Sequence, residues 1–228
     1  NNVAIGRSAL LANSTADYNT AVGSGALTAN TTGANNVAVG ALTLDANTTG
    51  AYNVAVGKNA LGLNTTGAYN TAVGTSSGYA TTTGTSNVSM GFESFYNNTT
   101  GIDNVAIGGD ALKANTTAAG NTAVGKAALQ ANTTGANNTA FGKGAGSQIT
   151  TGGNNVCVGG DAGLASNLVT GTGNVLVGQY CHISATDGNY ANGLGYDVNA
   201  VAGYTTVGKA TDDIAAAHGN VTWATVSD

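Results

Sequence analysis

The sequence predicts an all-β fold, a parallel β-roll or β-solenoid of stacked 17-residue repeats. Three observations predict it: a five-residue unit that recurs in fixed register, alternation within that unit, and an unusual composition. The chain holds 36 Gly, no Pro and only 7% charged residues.

The unit comes first. It reads NVAIG at Asn2, NTAVG at Asn19, NVAVG at Asn36 and Asn53, and NTAVG at Asn70. It continues as NVSMG at Asn87, NVAIG at Asn104, NTAVG at Asn121, NTAFG at Asn138 and NVCVG at Asn155. Successive copies start 17 residues apart; NVLVG at Asn174 follows after 19, and degenerate copies end at Gly195 and Gly208. We therefore divide the chain into a repeat array, 1–178, and a region of degenerate repeats and C-terminal cap, 179–228.

Alternation makes the middle of each unit a short strand, with residues two apart sharing a face. The closing Gly suits a sharp turn with positive φ. An apolar pair begins three residues later (Ala9-Leu10, Ala26-Leu27, Ala60-Leu61, Ala111-Leu112, Ala128-Leu129) and predicts a second short strand. The recurring Asn-Thr-Thr-Gly that follows predicts the return turn. Such a unit cannot bury its own apolar face, so repeats must stack. Proline would interrupt the ladder, and there is none.

Composition excludes several functions. A net charge of −5, with 6 basic residues and no basic run, offers nothing to phosphate, so no nucleic-acid partner is expected. No stretch of about 18 apolar residues exists, so no membrane span is expected. The chain reads as a piece of something longer, because Asn2 already lies inside a repeat.

The small residue in the middle of each strand needs a reason. If the Val/Ile face fills the coil, then Ala4, Ala21, Ala38, Ala55, Ala72, Ala106, Ala123 and Ala140 form an outer column. Such a column suggests close packing of other chains around a threefold axis, giving a homotrimer. The alternative is a monomeric solenoid whose alanines are merely small and exposed.

These pentads resemble the head repeats of trimeric autotransporter adhesins of the YadA type, over about Asn2 to Gly178. The resemblance implies a left-handed parallel β-roll and three rolls side by side. The adhesin repeat is usually about 14 residues, and the longer one here is similar to repeats of phage tail fibres. The ending Trp223-Ala224-Thr225-Val226-Ser227-Asp228 resembles the junction before the self-cleaving intramolecular chaperone of phage tail fibres and tailspikes. That likeness would make Ser227 a precursor-processing residue, although the Arg and Lys of the family motif are missing here.

Candidate sites are few. With His182 and His218 as the 2 histidines, no catalytic set is apparent, and no enzyme activity, cofactor or metal is expected. Asp110 and Asp161, in matching Gly-Gly-Asp-Ala turns, read as solvated turn residues, and Cys157 as a buried stand-in for Ala. The segment 75–96 breaks the repeat and gains Tyr79, Phe92, Phe95 and Tyr96, which either face a receptor or pack under an altered turn. The function expected is a tail-fibre or tailspike segment of a virion that attaches to a host-surface glycan or protein. The alternative is an adhesin head on a bacterial surface; an ice-binding solenoid ranks third, because its paired Thr side chains should diverge.

Overall fold

The computed structural model describes residues 1–164, 168–184, 188–209, 214–219 and 224–225. Among them there is no helix. The repeat unit forms one three-residue strand per coil: β1 (Val3–Ile5), β2 (Thr20–Val22), β3 (Val37–Val39), β4 (Val54–Val56), β5 (Thr71–Val73), β6 (Val88–Met90), β7 (Val105–Ile107), β8 (Thr122–Val124), β9 (Thr139–Phe141), β10 (Val156–Val158) and β11 (Val175–Val177). Each pairs in parallel with the next, in the register set by the sequence period, as in Ala4↔Ala21 and Ala106↔Ala123.

Parallel stacking continues past the regular array through β13 (Asn192–Tyr196) and β15 (Tyr204–Lys209). Beside it, β12 (His182–Ile183) and β14 (Asn199–Ala200) pair in parallel as a separate two-stranded sheet. The sheet then reverses: β16 (Ile214–Ala217) and β17 (Ala224–Thr225) add antiparallel and close that end. A solenoid end must be covered, since its last coil would otherwise expose a row of backbone groups. About a dozen coils at about 4.8 Å each make a rod on the order of 60 Å long.

The predicted second strand is not a strand. Leu10, Leu27, Leu61, Leu112 and Leu129 adopt left-handed backbone, with φ between 49° and 51°. The coil turns there instead of running straight, and the turn aims each leucine inward. Left-handed backbone costs a non-glycine residue about 1–2 kcal/mol. Full burial of Leu returns about 1.5–3 kcal/mol, and Leu27, Leu112 and Leu129 are completely buried. The inter-coil ladder is kept through the turn: the Leu27 amide donates to Thr43 O at 3.0 Å and Ala29 to Asp45 O at 3.0 Å.

The faces of the strand are also the reverse of the expectation. Ala21, Ala38, Ala55, Ala72, Ala106, Ala123 and Ala140 are 0% exposed within one chain, packed against the inward leucines. Ala4 alone of the column is exposed, on the terminal coil. The alanines therefore line the coil interior and cannot line a threefold axis. The cause is width: a coil with three-residue strands cannot hold both Leu and a branched residue on facing walls.

Two buried asparagine ladders complete the interior. The first is the opening Asn of each unit. Asn121 shows its bonding: its amide and its Nδ2 donate to Asn104 Oδ1 (2.9 and 3.2 Å), and its Nδ2 also donates to Gly135 O at 3.0 Å. Its own Oδ1 accepts from the Asn138 amide at 2.9 Å. The second is the Asn of Asn-Thr-Thr-Gly, where Asn47 Nδ2 donates to Asn30 Oδ1 at 2.8 Å and to Gly50 O at 3.0 Å. Read from sequence as turn residues, these asparagines are core.

The second ladder is interrupted by Thr81 and Ile149, and the orphaned buried oxygens are those of the residues just before, Asn64 Oδ1 and Asn132 Oδ1. Ile149 accompanies Gly146, which replaces the inward leucine: a Cβ on Gly146 would lie 3.1 Å from Ile149 Cδ1. Apolar volume has moved across the coil while its total is kept, the kind of change that a close-packed interior tolerates. No such exchange explains Thr81. Thr81→Asn should give Asn64 Oδ1 its donor and stabilise the fold by about 1 kcal/mol. Calorimetry should show a raised melting temperature; an unchanged or lowered one would mean the site cannot admit the amide.

Candidate functional site

Turning Ala inward turns the flanking residues outward. The first strand position contributes Val, Thr and a final Asn192; the third contributes Ile5, Val22, Val39, Val56, Val73, Met90, Ile107, Val124, Phe141, Val158, Val177 and Leu194. Within one chain Ile5 is 60% exposed, Met90 40%, Phe141 58% and Leu194 52%. The result is a strip running the length of the rod, with no charged residue in it. Apolar strips of this extent on soluble proteins mark contact surfaces.

The charges lie elsewhere. Arg7, Lys58, Lys126, Lys143 and Lys209 are exposed at the corners after the strand-ending glycines. Lys113 bridges Glu93 at 2.6 Å and Asp110 at 2.9 Å, so Asp110 belongs to an ion-pair group on the surface. Glu93, then Asp110, hold the Lys113 amine above its usual pKa. Among the described residues no group of three or more His, Cys, Asp or Glu converges to hold a metal. No helix is long and apolar enough to cross a membrane.

The aromatic break at 75–96 resolves into separate parts. Phe95 is 1% exposed and takes the inward leucine position, so it is core and cannot touch a receptor. Tyr79 and Tyr96 stack at 5.2 Å on the rod surface, half-buried, and Tyr79 lies over Gly62, where a Cβ would meet its ring at 2.9 Å. Only Phe92 of the four is widely exposed, at 59%. Beneath them Ser77 Oγ bonds Ser89 Oγ at 2.8 Å and Ser94 Oγ at 3.0 Å, three serines standing where other coils have Ala or Thr. The hydroxyls satisfy one another, which lets this coil carry polar groups inside.

Cys157 is buried in the Ala column, as expected, and burial pushes its thiol up to about 12. Gly163 opposite makes the room: a Cβ there would come within 2.8 Å of the Cys157 sulfur. The paired threonines do diverge. Thr31 and Thr48 donate their hydroxyls to the next coil's carbonyls, each at 3.0 Å, while Thr32 and Thr49 face solvent. A single free rank of hydroxyls remains, which is a poor template for an ice lattice. Trp223 and Ser227 lie outside the described residues.

The surface is concave near the end of the array. There Asp161, Leu164, Tyr180, His182, Tyr196 and Asp197 line a groove of about 470 Å³. No family model, curated protein or solved structure matches this chain.

Proposed function

We propose that the chain is a structural and receptor-binding segment of a homotrimeric surface fibre, of the phage tail-fibre or tailspike kind, in which three left-handed rods pack through their Val/Ile strips. The observation that carries the trimer is that strip, uncharged and continuous along a rod of about a dozen coils. Its best partner is another copy of itself, because its side chains recur at about 4.8 Å and mesh only with a surface of the same period. Closed cyclic symmetry bounds the assembly, whereas an open arrangement would make filaments. The phage assignment rests on the likeness of the last six residues to a chaperone junction; the repeats are equally similar to those of adhesin heads. Attachment to a host-surface glycan or protein then fits a non-enzymatic rod on a virion.

Exchanging the roles of the two strand faces gives the test. Ile107→Asp, on the strip, should convert a particle of three times the 22.0 kDa chain mass into monomer. Circular dichroism of the monomer should remain that of a β protein. Ala123→Leu, in the coil interior, should instead lower the melting temperature of the coil itself, since overpacking typically costs about 1–3 kcal/mol. Sedimentation and thermal melts of both variants decide it. A wild-type monomer at micromolar concentration would overturn the trimer. Loss of assembly in Ala123→Leu, with Ile107→Asp remaining trimeric, would move the axis to another face.

A further inference from the structure

We infer that the groove between Asp161 and Asp197 is a saccharide site for a pyranose that carries no acidic group. The inference rests on the attachment reading above and names the ligand class. It begins from where the groove lies. Through ten units the period is constant; between Asn155 and Asn174 it lengthens from 17 to 19, and the neighbouring coils acquire Tyr180, His182 and Tyr196. A repeating rod offers the same surface at every coil, so a distinct site must come from a departure of this kind.

The geometry is built by the ladder. Asp161, Tyr180 and Asp197 occupy the same corner of three successive coils, each with left-handed backbone (φ 58°, 59° and 55°). Their amides donate to Lys143 O, Gly160 O and Gln179 O at 2.8, 3.1 and 2.9 Å, which fixes their spacing. Tyr180 thus stands between two carboxylates. Tyr196 meets it edge-on, with centroids 6.0 Å apart and planes at 80°. His182 Nδ1 lies 2.9 Å from Tyr180 O, an arrangement that orients the imidazole at the groove wall.

The chemistry then selects the ligand. Leu164, Tyr180 and Tyr196 are 38%, 41% and 47% exposed, so the groove presents apolar surface to solvent. An open phenol face takes the C–H face of a pyranose, and carboxylates accept strongly from neighbouring sugar hydroxyls. Neither Asp161 nor Asp197 has an ion pair among the described residues. With two carboxylates and no Lys or Arg among the lining residues, acidic sugars are repelled. Two phenols at 80° leave the groove open and form no closed cage for a quaternary ammonium ion. The volume is within the range of small-ligand sites and suits one or two sugar rings.

The test uses the assembled wild-type protein, titrated with chitotriose, maltotriose, cellotriose and lactose, and with sialyllactose and tetramethylammonium as contrasts. Saturation-transfer NMR and tyrosine fluorescence are the readouts. At least one neutral sugar should bind. Binding should fall about tenfold or more in Asp197→Asn, which keeps the shape, and in Tyr180→Asn, which removes the ring while tolerating left-handed backbone. Phe92→Ala, on the rod surface distant in sequence, should leave binding unchanged. Failure of all four neutral sugars overturns the site, as do equal binding of sialyllactose, binding of tetramethylammonium alone, or indifference to both groove variants. Particle mass, measured on the same samples, separates the two claims: a trimer that binds no sugar overturns this site and leaves the fibre assembly standing.

Discussion

Asn121→Ala should lower the stability of the chain by about 3 kcal/mol, the largest loss expected for a side chain that carries no net charge. The substitution removes the acceptor of the Asn138 amide and the donor to Gly135 O, both buried. It also takes one of the two donors from Asn104 Oδ1, which keeps the Asn121 backbone amide at 2.9 Å. Each buried polar group left unpaired costs about 1–3 kcal/mol. Stability in a stacked array is a sum of neighbour terms, so the damage should centre on the coils beginning at Asn104, Asn121 and Asn138. Hydrogen exchange should show lost protection of the Asn138 amide, with coils near Asn36 unaffected; uniform loss along the rod would contradict a nearest-neighbour ladder.

Asn121→Asp extends the same test to pH. A carboxylate there still accepts from Asn138, but cannot donate to Gly135 O and faces Asn104 Oδ1. Burial raises its folded pKa above the unfolded value of about 3.9. The folded state therefore favours the protonated form, and the penalty grows as pH rises above that unfolded value. The variant should be closest to wild type in acid and weakest at neutral pH. A melting difference independent of pH would mean that the charge is not buried.

Gly108→Ala should cost about 3 kcal/mol, and its neighbour Gly109→Ala within about 0.5 kcal/mol. Gly108 has φ +128°, and a Cβ on it would lie 2.6 Å from the carbonyl carbon and oxygen of Gly125 in the next coil. The obstruction is backbone, so no rotamer can relieve it, and the Gly125 amide bond to Ile107 O at 2.7 Å must loosen. Strained backbone contributes about 1–3 kcal/mol and overpacking a similar amount. A Cβ on Gly109 meets only Phe92 O, at 3.8 Å. Thermal melts of the pair should separate widely; equal melts would show that the coils can slide apart at the strand-ending corner without cost.

The glycines show what kind of information the sequence carries. Gly108 was legible as a positive-φ corner because the strand ends there. The Gly of Asn-Thr-Thr-Gly was assigned to the return turn, but its cause is room: a Cβ on Gly33 would meet Asn30 Oδ1 at 2.6 Å and Asn47 Nδ2 at 2.9 Å. The Asn ladders stayed hidden for a related reason. An Asn repeated every 17 residues looks the same whether it closes a turn or bonds to its copies in the coils above and below. The groove was missed in part because Tyr180, His182 and Tyr196 were taken singly. The signal available was the two-residue lengthening between Asn155 and Asn174.

By itself the sequence determined the period, the parallel register and the strand at the centre of each unit, because one period repeated ten times has one consistent stacking. Alternation also determined that Val105 and Ile107 share a face opposite Ala106. Only the tertiary structure decided which face is inside. Alternation is symmetric between the faces, and the choice is made by the space left between the strand and the turn opposite. That turn sends Leu112 inward through left-handed backbone, which no hydrophobic period reveals. Once a buried leucine fills the narrow coil, the facing wall has room for Ala106 and not for Ile107, and the branched residues are left on the surface.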